Sequence, residues 1–275
     1  MELAYNKGVL NAASLMVSGH AARDAVERAH RMPGLRVGLH LVLADGPPTL
    51  PAAAIPDLVR YDGQFSPHMV RNGFRFFLLP YVRKQLATEI RAQFYAFAIT
   101  GLQLDHVNCH KHFHLHPTIL SLILSIGREY GLRSVRLPLE AGTPFWLRPW
   151  LALLRRRLKK AGMMHNDQVV GIRRSGSMDE AALLSALASL RKGVTEIYLH
   201  PAVTTVPLTP GMARYRHADE LAALLSPRVR AAVDALDMPR GGYTDIFPAR
   251  PVHGQPPAPG VAAASLNARR DQGSR

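Results

Sequence analysis

Leu102–Pro117 reads LQLDHVNCHKHFHLHP and holds five of the chain's thirteen histidines, namely His106, His110, His112, His114 and His116. A neutral imidazole ligates metals and carries protons near neutral pH, so such a density points to chemistry more than to packing. Read as extended backbone, residues two apart share a face. One face then carries His106, Asn108, His110, His112, His114 and His116. The other carries Val107, Cys109, Phe113 and Leu115, suited to packing against a helix. Pro117 opens the apolar run PTILSLILSIGREYG, with proline at the tolerated first helical position. The histidines therefore lie where a strand hands over to a helix, the edge that carries the chemistry in barrels of alternating strands and helices. A helix would also align His110 with His114, and a loose surface metal-binding tract is the bland alternative.

Outward from this stretch the chain alternates strand and helix. On its N-terminal side, MELAYNK is the end of a helix stopped by Gly8, and VLNAASLMV is a strand. AARDAVERAHRM is an amphipathic helix closed by Pro33-Gly34. LRVGLHLVL is an apolar strand of the buried parallel kind, interrupted by His40. Ala44–Pro56 is a proline-rich loop suited to face a substrate. Ser66–Gly101 is helical with a break near Pro80. On the C-terminal side, LRSVRLPLE is a short strand. Ser177-Met-Asp-Glu180 is a capping box opening a helix that Gly193 ends. VTEIYLHPA is a strand ending in His200-Pro201. ELAALLSPRVRAAVDAL is helical with a break near Pro227, and GGYTDIF is a last short strand. The expected organisation is one α/β domain over 1–250, a mostly parallel sheet, with a disordered Pro/Ala/Gly/Ser-rich tail over 251–275.

Composition narrows the function. One cysteine excludes an intrachain disulfide and a cysteine-based zinc site, and fits a cytoplasmic protein. The formal net charge of +14 favours anionic partners. No nucleic-acid motif accompanies it, so no nucleic-acid partner is expected. Nor is there a secretory signal or a run long enough to span a bilayer. Between Trp146 and Lys160, two tryptophans precede Arg155, Arg156, Arg157, Lys159 and Lys160. That combination suits a peripheral contact at the inner membrane face, or else an ordinary solvated basic face. The oligomeric state is not legible.

Three strands end in histidine, at His40, in the His110 cluster and at His200. In parallel α/β folds those ends meet on one side. Two imidazoles can hold a divalent metal, but a hydrolytic site normally needs a third protein ligand. Asp105 is the nearest carboxylate in sequence and, on an extended strand, faces away from the histidines.

GVLNAASLMVSG, LRVGLHLVL, LDHVNCHKHFHLHP and IYLHPA together resemble the YdjC-like family of carbohydrate deacetylases. The likeness is greatest to its hopanoid-biosynthesis-associated HpnK branch. The pattern Asp/Asn-x-His-x-His-x-His-x-x-Pro is read here from Asn108 to Pro117. The resemblance implies an irregular TIM-like barrel of about seven parallel strands. It implies a divalent metal, Zn or Mg, on His40 and His110, with Asn108, His112 and His114 lining the pocket and His200 opposite as a catalytic residue. The implied reaction is removal of an N-acetyl group from an amino sugar or glycolipid, N-acetylglucosaminyl hopanoid in that branch. The family opens on a strand ending in Asp-Asp, supplying a ligand and a base, and this sequence lacks it. The reading therefore expects an upstream start, with roughly 20 residues of strand, turn and helix before Met1, checked by translating the upstream frame. A chain that truly starts at Met1 is expected to bind metal weakly and have little activity, leaving a metal- or glycan-binding protein as the alternative.

Overall fold

The computed structural model describes residues 1–203 and 210–247. Strands β1 (Ala12–Leu15), β2 (Arg36–Leu41) and β3 (Leu104–Cys109) form a parallel sheet in that order. A second parallel pair joins β4 (Gln168–Val170) to β5 (Thr195–Ile197). The expected strand LRSVRLPLE forms no regular strand and pairs with its neighbours through single bridges, Val107 with Val135 and Ser134 with Met164. Leu139 O accepts from Val169 N at 2.7 Å. This segment thus carries the parallel progression from β3 across to β4, and Pro138 within it removes one donor that a regular ladder would use. Among the described residues the fold is α/β with sheets of three and two strands, and the expected seven-stranded barrel is not complete.

Helices cover the outer side. They are α1 (Glu2–Lys7), α2 (Ala22–His30), α3 (Met69–Leu78), α4 (Pro80–Ala98), α5 (Pro117–Glu129), α6 (Arg148–Lys160), α7 (Glu180–Ala188), α8 (His217–Leu225), α9 (Pro227–Asp234) and α10 (Tyr243–Ile246). The expected breaks at Pro80 and Pro227 and the expected start at Pro117 are real: all three prolines open helices, where the missing N–H costs nothing. One apolar core lies between β1–β3 and helices α2 to α6, with Leu39, Leu41, Val107, Ile119, Ile123, Phe94 and Leu151 at its centre. A second joins α1 to α7, α8 and α9 through Ala4, Leu183, Leu221, Leu224 and Val229. Gly8 ends α1 in an extended conformation, not the left-handed one a glycine stop suggests. It is small for another reason: a Cβ there would sit 2.5 Å from the carbonyl oxygens of Ala4 and Leu224.

Three further sequence expectations fail locally. GGYTDIF folds as the short helix α10 instead of a strand. Asp105 reaches it from β3, its carboxylate accepting from Tyr243 N at 3.0 Å and Thr244 N at 2.8 Å. Those bonds satisfy N-terminal helix donors that a sequence window cannot see filled. The capping box at Ser177 shifts by two residues: Asp179 is the cap, accepting from Ala182 N at 3.0 Å, and α7 ends at Ala188, before Gly193. Third, the histidine stretch is not extended throughout. β3 stops at Cys109, and His110–Leu115 is a tight turn in which Lys111 and His112 take left-handed backbone, φ 52° and 54°. The expected tail, 251–275, lies outside the described residues.

Candidate active site

The inner face of the sheet is built by alternation. Ser14 on β1, Gly38 and His40 on β2, and His106 and Asn108 on β3 all point one way. Ser14 pairs with Gly38, and His40 pairs with Asn108. Gly38 is what lets His106 cross: a Cβ at Gly38 would meet the His106 ring at 2.5 Å. The imidazole lies over that gap, with Nε2 3.0 Å from Ser14 Oγ and Nδ1 2.8 Å from Asp105 Oδ2. Burial pushes the Asp105 carboxyl up, but His106 and Thr244 outweigh it and hold it at about 2. His106 and Asp105 thus form a structural pair, and Asp105 is spent away from His110.

At the carboxyl edge, His40 Nε2 and His110 Nδ1 are 3.5 Å apart. Two nitrogens on one tetrahedral Zn²⁺ lie roughly 3.3 Å apart, from metal–nitrogen bonds of about 2.05 Å. The separation therefore suits two ligands of one cation. Asn108 decides which nitrogen His40 offers. With Asn108 Oδ1 2.6 Å from His40 Nδ1, the imidazole proton sits on Nδ1 and Nε2 keeps its lone pair for a metal. The reversed amide satisfies Arg136 instead, accepting from Nη2 at 3.0 Å and from Ser14 Oγ at 2.8 Å. That setting moves the proton to Nε2.

His112 and His114 line the same edge. The His114 Nε2–H donates to Arg136 O at 2.9 Å. The His112 ring lies 5.9 Å from that of Tyr198, and Tyr198 Oη is 2.7 Å from His200 Nε2. His200 is thereby joined to the cluster across the edge. Burial, with neighbouring positive charge, drives these imidazoles toward neutrality: His40 and His112 to about 3, His114 and His200 to about 4. Burial lowers His110 as well. His116 lies apart, packed against Phe76 of α3 and Phe113.

Two observations mark this edge as more than packing. Buried nitrogens without a partner are rare in folded proteins. Here they include His110 Nε2, His112 Nδ1, His114 Nδ1 and His200 Nδ1. Secondly, the non-glycine residues with positive φ are Asp45, Lys111 and His112, and the first two are joined by an ion pair of 2.5 Å. Strain held in place this way concentrates at functional sites. Among the described residues no group of three His, Cys, Asp or Glu is arranged to hold a metal. The residues present fit two positions of a coordination sphere, supplied by His40 and His110.

Sequence reading missed the charged floor beneath the histidines. Arg136, 6% exposed, bonds Glu196 through both Nε and Nη2, the former at 2.9 Å. Its guanidinium lies 5.0 Å from the centre of the Tyr198 ring. Glu196 Oε2 also accepts from Tyr243 Oη at 2.8 Å. The signal was there in part: Glu196, Tyr198 and His200 alternate along one face of VTEIYLHPA.

The family description "YdjC-like protein" matches residues 1–235. The chain belongs to the YdjC-like family. It is 29% identical to a carbohydrate deacetylase of Geobacillus stearothermophilus, over 83% of each chain. To a chitooligosaccharide deacetylase of Serratia marcescens it is 26% identical, over 88% of this chain and 90% of that one. A carbohydrate deacetylase of Brevibacillus brevis is 37% identical over a shorter stretch, 51% of this chain and 53% of that protein. In three dimensions it resembles a crystal structure described as a "putative cellobiose-phosphate cleavage protein" from Enterococcus faecalis V583. The TM-score is 0.64 at 22% identity, over 85% of this chain and 86% of that one. At that identity the structural likeness speaks for the fold. Within the YdjC-like fold, no helix among the described residues is long and apolar enough to cross a membrane.

Proposed function

We propose that this protein is a carbohydrate deacetylase that hydrolyses the acetamide of an N-acetylated amino sugar. Membership of the YdjC-like family and the names of its relatives support the reaction class. The observation that carries the site is the meeting of His40 and His110 at 3.5 Å beside imidazoles whose buried nitrogens lack partners.

With the Asn108 carbonyl turned to His40 Nδ1, His40 Nε2 and His110 Nδ1 would hold a divalent metal, Zn²⁺ or Mg²⁺. When bound, it supplies Lewis-acid polarisation of the acetamide carbonyl and lowers the pKa of a water. The chain's own residues do the rest. Burial pushes the Tyr198 phenol up to about 12, so it stays protonated and donates to His200 Nε2. The remaining proton of the neutral His200 ring is then on Nδ1, which has no partner. His200 Nδ1–H is therefore the donor offered to the departing amine, the ring taking the Tyr198 proton at Nε2 as it gives up its own at Nδ1. Asn108 holds the His40 ring, and His112 and His114 wall the pocket against bulk water. The finer assignment within this reading is a glycolipid substrate, N-acetylglucosaminyl hopanoid.

Acetate release from N-acetylated chitooligosaccharides, with added Zn²⁺ or Mg²⁺, tests the reaction. His110→Ala is expected to lower it at least about 100-fold, and a chelator to abolish it. Acetate release that survives both removes the metal-dependent reading. Release from the hopanoid glycolipid but not from the chitooligosaccharides would settle the substrate in favour of the lipid.

A further inference from the structure

One face of helix α3 is buried: Gly73 lies beside His116, and Phe76 packs on Phe113 and His116. Val70, Phe74, Phe77 and Leu78 form a second stripe at i, i+4, i+7 and i+8, facing outward, and Tyr81 at the start of α4 extends it. Phe74 is 65% exposed and Val70 77%. Among the described residues nothing covers this stripe. Scattered exposed apolar residues need no account, but a contiguous aromatic stripe on one helix does.

Charge says what would cover it. No Asp or Glu occurs between Asp62 and Glu89, while Arg71, Arg75, Arg83 and Lys84 all fall there. Arg75 is paired with Asp57. Arg71, Arg83 and Lys84 are exposed and have no carboxylate partner among the described residues. Arg83 donates to the α3 carbonyls of Phe76 and Phe77, so its charge is held at the end of the stripe. A second cationic element with exposed aromatics stands nearby in the fold. Phe145 and Trp146 are exposed just ahead of α6, whose Trp150 Nε1 donates to Leu115 O at 3.1 Å. Phe76 of α3 packs on Phe113 with ring centres 5.6 Å apart. Both elements are thus anchored on the single turn that carries the site histidines. Outward aromatics ringed by unpaired cations fit an interface of acyl chains beneath anionic headgroups. A second copy of the chain fits worse: an isologous contact would set Arg71, Arg83 and Lys84 against their own duplicates.

We propose that the outward face of α3, from Val70 to Tyr81, seats the protein on an anionic lipid bilayer with the histidine edge close to the membrane surface. The proposal concerns the surface alone and holds whether or not the deacetylase reading does.

Co-sedimentation of the full chain with vesicles tests it, using phosphatidylglycerol mixed with phosphatidylcholine against phosphatidylcholine alone. Binding is expected to the anionic vesicles, at least about tenfold stronger than to the neutral ones, and to fall with salt. Phe74→Ser with Phe77→Ser should weaken it about tenfold or more. Arg71→Glu with Lys84→Glu should weaken it without touching the apolar stripe. Both variants should keep wild-type circular dichroism and wild-type acetate release from soluble chitooligosaccharides, which separates this test from that of the reaction. Equal binding by wild type and both variants, or no binding to anionic vesicles, overturns the proposal. So does a dimer in light scattering that Phe74→Ser dissolves, which would assign the face to a second copy.

Discussion

Arg136→Met isolates the charged floor of the site. In the native protein the Arg136 guanidinium is 6% exposed and the Glu196 carboxylate 17%. Burial alone would push the Glu196 carboxyl up, but the charge and hydrogen bonds of Arg136 outweigh it and hold it low. Removing the arginine leaves Glu196 with Tyr243 Oη as its remaining side-chain donor. Removing one partner of a buried ion pair costs about 3–5 kcal/mol, because the other charge stays desolvated. For a chain of this size that corresponds to a fall in Tm on the order of 10 °C. Urea unfolding of wild type, Arg136→Met, Glu196→Gln and the double variant closes a double-mutant cycle. A coupling of at least about 1.5 kcal/mol is expected, because the double variant buries no lone charge. The pH dependence adds a second readout. In Arg136→Met the unpaired Glu196 has a folded pKa above its unfolded value, so the native state binds the proton first. The variant's deficit should therefore shrink as pH falls from 8 toward 5. Loss of less than about 1 kcal/mol, or additive single variants, would refute the claim that this pair holds the floor together.

The other expectations concern the histidines. His114 is buried and held at about 4 in the folded chain, against about 6.5 for an unfolded histidine. Its folded pKa is depressed, so the unfolded state takes the proton first; stability is flat above about 6.5 and declines as pH falls toward 4. At pH 5 His114 alone costs about 2 kcal/mol, and chemical denaturation of metal-free protein at pH 7 and pH 5 should show at least that loss. A stability unchanged between the two would contradict its neutral burial. Gly38→Ala should cost about 1–3 kcal/mol by driving a methyl group into the His106 ring. Thermal unfolding reads that cost, and a Tm within a degree of wild type would show that the ring has room to move.

Sequence by itself determined the elements and where their chemistry lies. Alternation along LDHVNC put His106 and Asn108 on one face, and proline placed the starts of α4, α5 and α9. The histidines ending β2 and following β3 and β5 marked the edge where strands hand over to loops. These features are local, set by a period of two along a strand or by a missing N–H, so a window of a few residues contains them. What only the tertiary structure decided is every feature that depends on a distant partner. The histidine run bends after Cys109, so His110, His112 and His114 stay at the edge while His116 turns to α3. GGYTDIF becomes a helix with Asp105, distant in sequence, on its first amides beside the local bond from Gly242 N to Asp245. Arg136 is committed to Glu196, 60 residues on. The physical reason is the same each time: a buried donor or charge takes the conformation in which it is paired, and its partner is chosen by the fold.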